Sequence, residues 1–382
     1  MTFTHILNSK KIRFSAVLAF ILVFVSLNVS SRAQEAAPHT LADTTFSSTV
    51  ESDAHIAGTE HTEGDGEHEK FDPTSAIMEH IADSHYWHLW GHTSLPLPVI
   101  LFTDKGAEVF SSSQFHHGEQ AYQGKHYTYK LIEDKIFAVN SGGEIDKSAS
   151  SNVYDFSITK NVAAIWLAVI LLILIFTSVS RAYKKREGMA PKGFQSLIEP
   201  VILFVRDEIA KPNIGYKYNK FMPLLLTMFF FIWINNLLGL FPLFPGGANV
   251  TGNIFMTFVL AFITLLVTNL NGNKYYWKHI LLPDVPWWLY PIMIPVEIIG
   301  VISKPFALMI RLYANISAGH IIVLSLISLI FIFKSLAIAP VSVAFVLFMD
   351  VLELLVAFLQ AFIFTMLTAL FIGTAVDEHA HH

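Results

Sequence analysis

From residue 161 to residue 373 the sequence is almost continuously apolar, and a run of that length has only one stable home, the interior of a lipid bilayer. The first stretch, Val162–Ser180, holds nineteen residues without a charge, long enough to cross a hydrocarbon core of about 30 Å. Arg181, Lys184, Lys185 and Arg186 follow at once, which puts that end in the cytoplasm by the positive-inside rule. A second span from Phe221 to about Phe244 returns outward, the loop Pro245–Asn253 carries no charge, and Ile254–Leu270 comes back to Lys274 and Lys278. The last two stretches are too long to stand upright. Trp287–Phe333 would be about 70 Å as one helix and Val341–Gly373 about 50 Å, so both must tilt, with a possible bend at Pro305. The short break Lys334–Pro340 makes them an antiparallel hairpin.

Between the first two spans, Phe194, Leu197, Ile198, Val201 and Val205 recur at helical spacing, while Gln195, Glu199, Arg206 and Glu208 lie elsewhere on the wheel. That pattern predicts an amphipathic helix on the cytoplasmic membrane face over Gly193–Ile209. The fold class is therefore an all-α polytopic membrane protein with five spanning helices, one interfacial helix and a final hairpin of two long tilted helices.

The N-terminal part is different. Lys10, Lys11 and Arg13 precede an apolar stretch, Phe14–Val29, and Ser31-Arg32-Ala33 offers small residues for cleavage after Ala33. This order reads as a secretory signal peptide over 1–33, with a permanent anchor helix as the competing reading. Either way the following segment lies outside the cytoplasm. Residues 34–157 form a polar extension rich in acids and His, of which 34–70 has too few large apolar residues to fold. From Phe71 a small α+β unit is predicted, with a helix over Pro73–His85 and strands at Leu95–Phe102 and Tyr127–Val139. Its His80, His85, His88, His92, His116 and His117 have no diagnostic metal-ligand spacing and are read as solvated surface residues. The membrane domain then occupies 158–376, and Asp377–His382 is a cytoplasmic tail. Only 14% of residues are charged, against about a quarter in a soluble domain, and the net charge of −5 gives no case for nucleic acid. With no Cys, neither disulfides nor thiolate metal sites are possible.

Ionisable side chains inside spans are costly and default to a functional reading. The first long helix carries Glu297, Lys304, Arg311 and His320; the second carries Asp350, Glu353 and, deeper, Gln360. Lys304 lies near the cytoplasmic end and can snorkel. Arg311 cannot, because Phe306–Ile310 and Leu312–Tyr313 flank it in mid-stretch. His320 is about 13 Å outward from Arg311, and Glu297 about 21 Å toward the cytoplasm. If Gln360 lies level with Arg311, Glu353 falls near His320 on the antiparallel partner. At about 100° per residue, Glu297, Asn315 and Arg311 share one face, whereas His320 points roughly opposite. The expected arrangement is two offset polar pathways separated by Arg311, with His320, Glu353 and Asp350 outside and Glu297 inside. Arg suits the divide because it stays charged when poorly solvated, and His suits the relay because it titrates near neutrality.

At these residues the sequence resembles subunit a of the F-type ATP synthases. The likeness runs through Ser303-Lys304-Pro305, Arg311-Leu312-Tyr313-Ala314-Asn315-Ile316-Ser317-Ala318-Gly319-His320, Leu359-Gln360-Ala361-Phe362-Ile363-Phe364 and Asn236-Leu237-Leu238-Gly239-Leu240-Phe241-Pro242. The resemblance implies a non-catalytic stator subunit without a cofactor, held in a bacterial inner membrane. Its partners would be a rotating ring of c subunits, the peripheral-stalk subunit b and lipid. On that pattern Arg311 prevents a proton short-circuit, His320, Glu353, Asn315 and Gln360 line the exterior half-channel, and Glu297 lines the cytoplasmic one. Two departures stand out. Many members carry Glu at the position of His320 and His at that of Glu353, so the pair is exchanged here; Asp350 is an additional carboxylate expected to extend the exterior path.

Three other readings compete with this one. An independent proton-coupled secondary transporter would be favoured by internal repeats, and none is visible. An intramembrane metalloprotease needs a ligand set such as His-Glu-x-x-His, which the spans lack. A purely structural scaffold has no need of Arg311 at mid-depth. Whether the coupling ion is H⁺ or Na⁺ depends mostly on the ring, and titratable His320 with Glu353 favours H⁺.

Overall fold

The computed structural model describes residues 82–90, 93–140, 142–185, 189–240, 247–283, 285–333 and 339–376. The expected signal segment, the acidic stretch 34–70, most of the Pro73–His85 helix, the hairpin connection 334–338 and the C-terminal tail lie outside them. Of the expected helix, residues 82–85 are described and are not helical.

The extension is built mainly of short strands. β1 (Tyr86–Trp90) pairs with β2 (Thr93–Pro96); β3 (Pro98–Thr103) lies between β4 (Gly106–Ser111) and β8 (Tyr154–Asp155); β6 (Thr128–Ile132) lies between β5 (Tyr122–Gln123) and β7 (Lys135–Val139). A single-turn helix, α1 (Lys147–Ser150), precedes β8. All pairings are antiparallel. Alternation places Val99, Leu101, Tyr129, Leu131 and Ile136 on the inner faces, where they join Tyr86 and Phe115 in one small core. The stretch expected as one strand from Tyr127 is a hairpin, turned at Glu133 and Asp134 with φ of 49° and 58°. Two left-handed residues are what a two-residue hairpin turn requires, but Glu-Asp is not among the pairs that announce one.

The membrane domain follows as α2 (Lys160–Lys185), α3 (Phe194–Phe204), a π-helical turn (Val205–Ala210), α4 (Lys211–Ile214), α5 (Tyr218–Leu240), α6 (Ile254–Leu270), α7 (Lys274–Leu281), α8 (Tyr290–Phe333) and α9 (Ala339–Val376). Among the described residues four helices are long and apolar enough to cross a membrane, or five if α6 and α7, bent by 103°, count as one span. α8 has 44 residues and α9 has 38, about 66 and 57 Å, so the excess length expected of them is present. α8 runs unbroken through Pro295 and Pro305. α3 buries Ile198 and Ile202 but leaves Phe194 and Leu197 exposed, so its inward face is rotated from the expected one and includes Gln195, which donates to Glu199 (3.5 Å). The aromatic rings of Phe204, Phe229, Trp233 and Phe358 bind α3, α5 and α9 into one core.

Two clamps hold the ends of this domain. At the C-terminal end of α9, Asn273 donates from its backbone N to Ala375 O (2.8 Å) and from Nδ2 to Val376 O (2.7 Å), satisfying carbonyls that a helix end leaves open. Gly373 lets α4 approach, since a Cβ there would strike the Asn213 carbonyl. At the other end the extension caps α2. Asp83 accepts from Asn161 N (3.0 Å) and from Thr159 Oγ1 (2.7 Å), and Lys160 N donates to Ser84 O (2.8 Å). A carboxylate at a helix N-terminus also meets the positive end of the helix dipole.

Beside this cap, His85 Nε2 and Asp155 Oδ2 form a buried ion pair at 3.0 Å, and Asp155 accepts further hydrogen bonds from the backbone N and Oγ of Ser157. Burial alone would push the His85 ring below its ordinary range, but the hydrogen bond and charge of Asp155, with the charges of Asp83 and Asp134, outweigh it and raise the ring. Burial likewise favours a neutral Asp155, and the His85 contact outweighs it and lowers the carboxyl. The sign follows by linkage. His85 stabilises the fold below its ordinary value of 6.5, and that contribution is lost as pH rises through the raised folded value. The Asp155 contribution is present above 3.8 and lost as pH falls through its lowered folded value. An NMR titration of the His85 ring should therefore give a pKa above 6.5 in the wild-type chain. In Asp155→Asn the ring should titrate at lower pH, with a loss of about 3 kcal/mol from the extension. An unmoved His85 titration would show that the pair is not what charges the ring.

Candidate functional site

The site forms where α8 and α9 run antiparallel. Along α8, Leu308, Leu312 and Ile316 are buried at successive turns, while Ser303, Ala307, Arg311, Ala314 and Ala318 are exposed. Small side chains thus border the guanidinium along one strip, with exposed Lys304, Phe306, Ile310 and Asn315 beside it. Among the described residues there are three ion pairs, and none engages Arg311, Glu297, Asp350 or Glu353. A charge on an apolar helix that its own chain does not neutralise invites a carboxylate from elsewhere.

Register is fixed by two contacts. Asn315 Nδ2 donates to Gln360 Oε1 at 2.8 Å. One turn further on, Gly319 lies so close to α9 that a Cβ would run into the Glu353 carboxylate. The Asn315 contact reaches one helical turn past Arg311, while the Gly319–Glu353 contact sets Gln360 against Leu312, so Gln360 lies within one turn of the Arg311 level expected for it. The expected meeting of His320 and Glu353 does occur. Both line one small cavity together with Asn235, Asn236, Asn249 and Thr251. His320 sits against α5, where a Cβ on Gly239 would lie 3.7 Å from its Nε2. The ring thus faces into the bundle, on the side of α8 away from Arg311, as the wheel predicts.

Polar bonding around the cavity is incomplete. Thr251 Oγ1 donates to Asn236 Oδ1 (2.7 Å), Asn236 Nδ2 to Ala357 O (3.2 Å) and Asn235 Nδ2 to Phe231 O (2.8 Å). Glu353 Oε1, Asn235 Oδ1 and Asn249 Nδ2 are buried without a protein partner. Buried polar atoms demand hydrogen bonds, and a cavity with several such atoms is one that water can occupy. The chemistry available is therefore proton exchange between an imidazole and a carboxylate that line the same small polar pocket.

The other expected site residues lie apart from this cavity. Asp350 is exposed one turn before Glu353 and does not line it. Glu297 is half-buried fourteen residues before Arg311. Lys304 is exposed, as a snorkelling residue would be, with Nζ 5.9 Å from the Phe371 ring, and it lines a second small cavity with Thr268, Asn269, Tyr276 and Thr374. Asn235, Asn249 and Thr251 were not singled out from the sequence. The signal was there for Asn235-Asn236, two adjacent amides inside an apolar span, but the loop before α6 gave no cue that Thr251 folds back to bond Asn236 of α5 or that Asn249 lines the same cavity.

Comparison with known proteins agrees with this geometry. Residues 162–373, more than half of the chain, match the family described as ATP synthase A chain, and residues 76–156 match a domain of unknown function. "ATP synthase subunit a 2" of Chlorobaculum tepidum is 49% identical over 265 residues, which is 66% of this chain and 74% of that protein. "ATP synthase subunit a 2" of Prosthecochloris aestuarii is 48% identical over 285 residues, covering 72% of this chain and 87% of its own. "ATP synthase subunit a" of Myxococcus xanthus is 43% identical over 235 residues, 60% of this chain and 76% of that one. A family match over most of the membrane domain, with relatives this similar over two thirds of their length or more, means that the chain belongs to the ATP synthase A chain family.

Proposed function

We propose that this chain conducts protons through two offset half-channels to and from a rotating ring of c subunits, and that Arg311 divides the two. The observation that carries the reading is the uncompensated Arg311 on a strip of small side chains, backed on the opposite side of α8 by the His320/Glu353 cavity. Ser303, Ala307, Ala314 and Ala318 leave room for a ring helix to approach closely, and a ring carboxylate would then meet the guanidinium. Arg311 stays protonated, so it can displace a proton from that carboxylate but cannot relay one.

On this reading a proton reaches the exterior cavity past Asp350, exchanges between His320 and Glu353, and passes the Asn315–Gln360 pair to the ring. After a turn of the ring it leaves along Glu297. The exchange of His320 and Glu353 relative to many family members fits one cavity that holds both groups, because a shared proton site does not depend on which helix supplies which group. The chain is a non-catalytic part of the synthase, anchored to subunit b as well as the ring. It lies in a bacterial inner membrane with the extension outside and the C-terminus in the cytoplasm. The basic run after α2 and the lysines after α6 support that orientation. The exposed Phe194 and Leu197 support an interfacial position for α3.

Three measurements test the reading in the assembled enzyme. Arg311→Ala should abolish ATP-driven proton pumping and raise passive leak through the membrane sector; retained coupled pumping would sink the mechanism. His320→Glu combined with Glu353→His should pump better than either single change, and a double variant no better than the worse single one removes the shared-site argument. Gly319→Ala should push the Glu353 carboxylate aside at a cost of about 1–3 kcal/mol and slow pumping with normal assembly. Unchanged pumping in that variant would mean that the contact does not position Glu353.

A further inference from the structure

The chain turns through 103° between α6 and α7, and the segment from Lys274 to Leu289 then leads into α8. Among the described residues one side of α7 is engaged by the rest of the protein: Ile280 is buried, and Tyr276 OH donates to Asn269 Oδ1 at 2.9 Å. The other side and the following turn expose four aromatic rings, Tyr275 (61%), Trp277 (42%), Trp287 (81%) and Trp288 (63%). Lys274 and Lys278 stand among them, one turn apart and both exposed. From Gly272 to Tyr290 the sequence has these two cations and His279 against a single acid, Asp284.

Few surroundings satisfy such a surface. Water would leave the rings exposed, and the hydrocarbon core would penalise the lysines. A protein interface favours Trp and Tyr but is depleted in Lys at its core. The headgroup zone of a bilayer takes both, rings at the glycerol level and ammonium groups at phosphate. The segment also joins two membrane helices, so the bilayer surface is already its neighbour.

We infer that α7 and the turn after it form an anchor that binds the anionic phospholipid headgroups of the cytoplasmic leaflet and thereby sets the depth of the α8/α9 hairpin. The leaflet rests on the orientation proposed above. The mechanical link is direct. α7 continues into α8, and Asn273 at its start holds the last carbonyls of α9 (2.8 and 2.7 Å). Pinning α7 to the phosphate layer therefore fixes one end of both tilted helices, and with them the level of Arg311.

The chain contains no cysteine, so Tyr275→Cys, and separately Trp287→Cys, gives a unique thiol on an exposed side chain. A nitroxide at either thiol, in the full chain in phosphatidylcholine vesicles with and without phosphatidylglycerol, reports depth through its accessibility to oxygen and to a water-soluble nickel complex. With phosphatidylglycerol the label should lie in the headgroup zone, and without it the label should shift toward water. Lys274→Gln with Lys278→Gln should abolish that difference. Equal water accessibility in both lipids overturns the inference. So does a label that is water-exposed in the chain alone but shielded from both reagents in the assembled synthase, which would identify a protein partner. A membrane-impermeant thiol reagent on sealed vesicles reads sidedness separately: reaction from the exterior would refute the proposed orientation without touching the depth result.

Discussion

The close approach of α8 to α9 at Gly319 is the contact on which the site depends. Without a Cβ at that position the two helices come near enough for Asn315 to reach Gln360 at 2.8 Å one turn away. The same approach leaves Glu353 little freedom, because its carboxylate lies where a Gly319 side chain would be. Register between two long antiparallel helices is otherwise weakly specified, since an apolar surface slides over another at little cost. A glycine at one turn and an amide pair at the next remove that freedom. His320 follows Gly319 directly, so the contact that fixes register also delivers the imidazole to the Glu353 cavity.

Helix length adds a second constraint that works with the first. At about 66 and 57 Å, α8 and α9 exceed the hydrocarbon core by nearly a factor of two, and tilt is the available accommodation. A tilted pair held only by lipid would wander in angle. Here α9 is held at its end by Asn273 and Gly373, and α8 begins from α7. The middle of the pair is fixed by Gly319 and Asn315. Arg311 lies between these points, and its position is set by contacts that do not involve it.

The spans were legible in the sequence because the hydrophobic signal is long and the basic residues punctuate it. The ionisable residues were legible for the opposite reason: in an apolar run each one is expensive and stands out. What could not be read was distance. Depth arithmetic could only assume that Gln360 lies level with Arg311, because counting along a helix gives relative depth only once one contact is known, and the contacts at Asn315 and Gly319 supply it. The folding back of Asn249 and Thr251 was hidden because a polar loop outside the spans looks the same whether solvated or packed. The hairpin at Glu133 and Asp134 was missed since its backbone geometry is imposed by the flanking strands, not by residues that prefer it. The inward face of α3 was rotated from expectation because the directions from which α2, α5 and α9 approach it are not written in its own amphipathic pattern.

Arg311 poses the remaining energetic question. A guanidinium at the centre of an apolar span costs from about 2.5 to more than 10 kcal/mol, depending on how far water and headgroups can reach it. Among the described residues no carboxylate of the chain reduces that cost: Glu353 faces the cavity on the other side of α8, Asp350 is exposed elsewhere, and no ion pair includes Arg311. Pairing it internally would have been easy, since a carboxylate one turn away on α8 would suffice. An internal partner, however, would hold the guanidinium permanently and leave nothing for a carboxylate arriving from outside. The proposed mechanism needs the reverse, an arginine whose best partner is one that comes and goes. The small side chains beside it leave room for that approach, and on the proposed mechanism the pairing of the guanidinium with the arriving carboxylate is the step that displaces the proton.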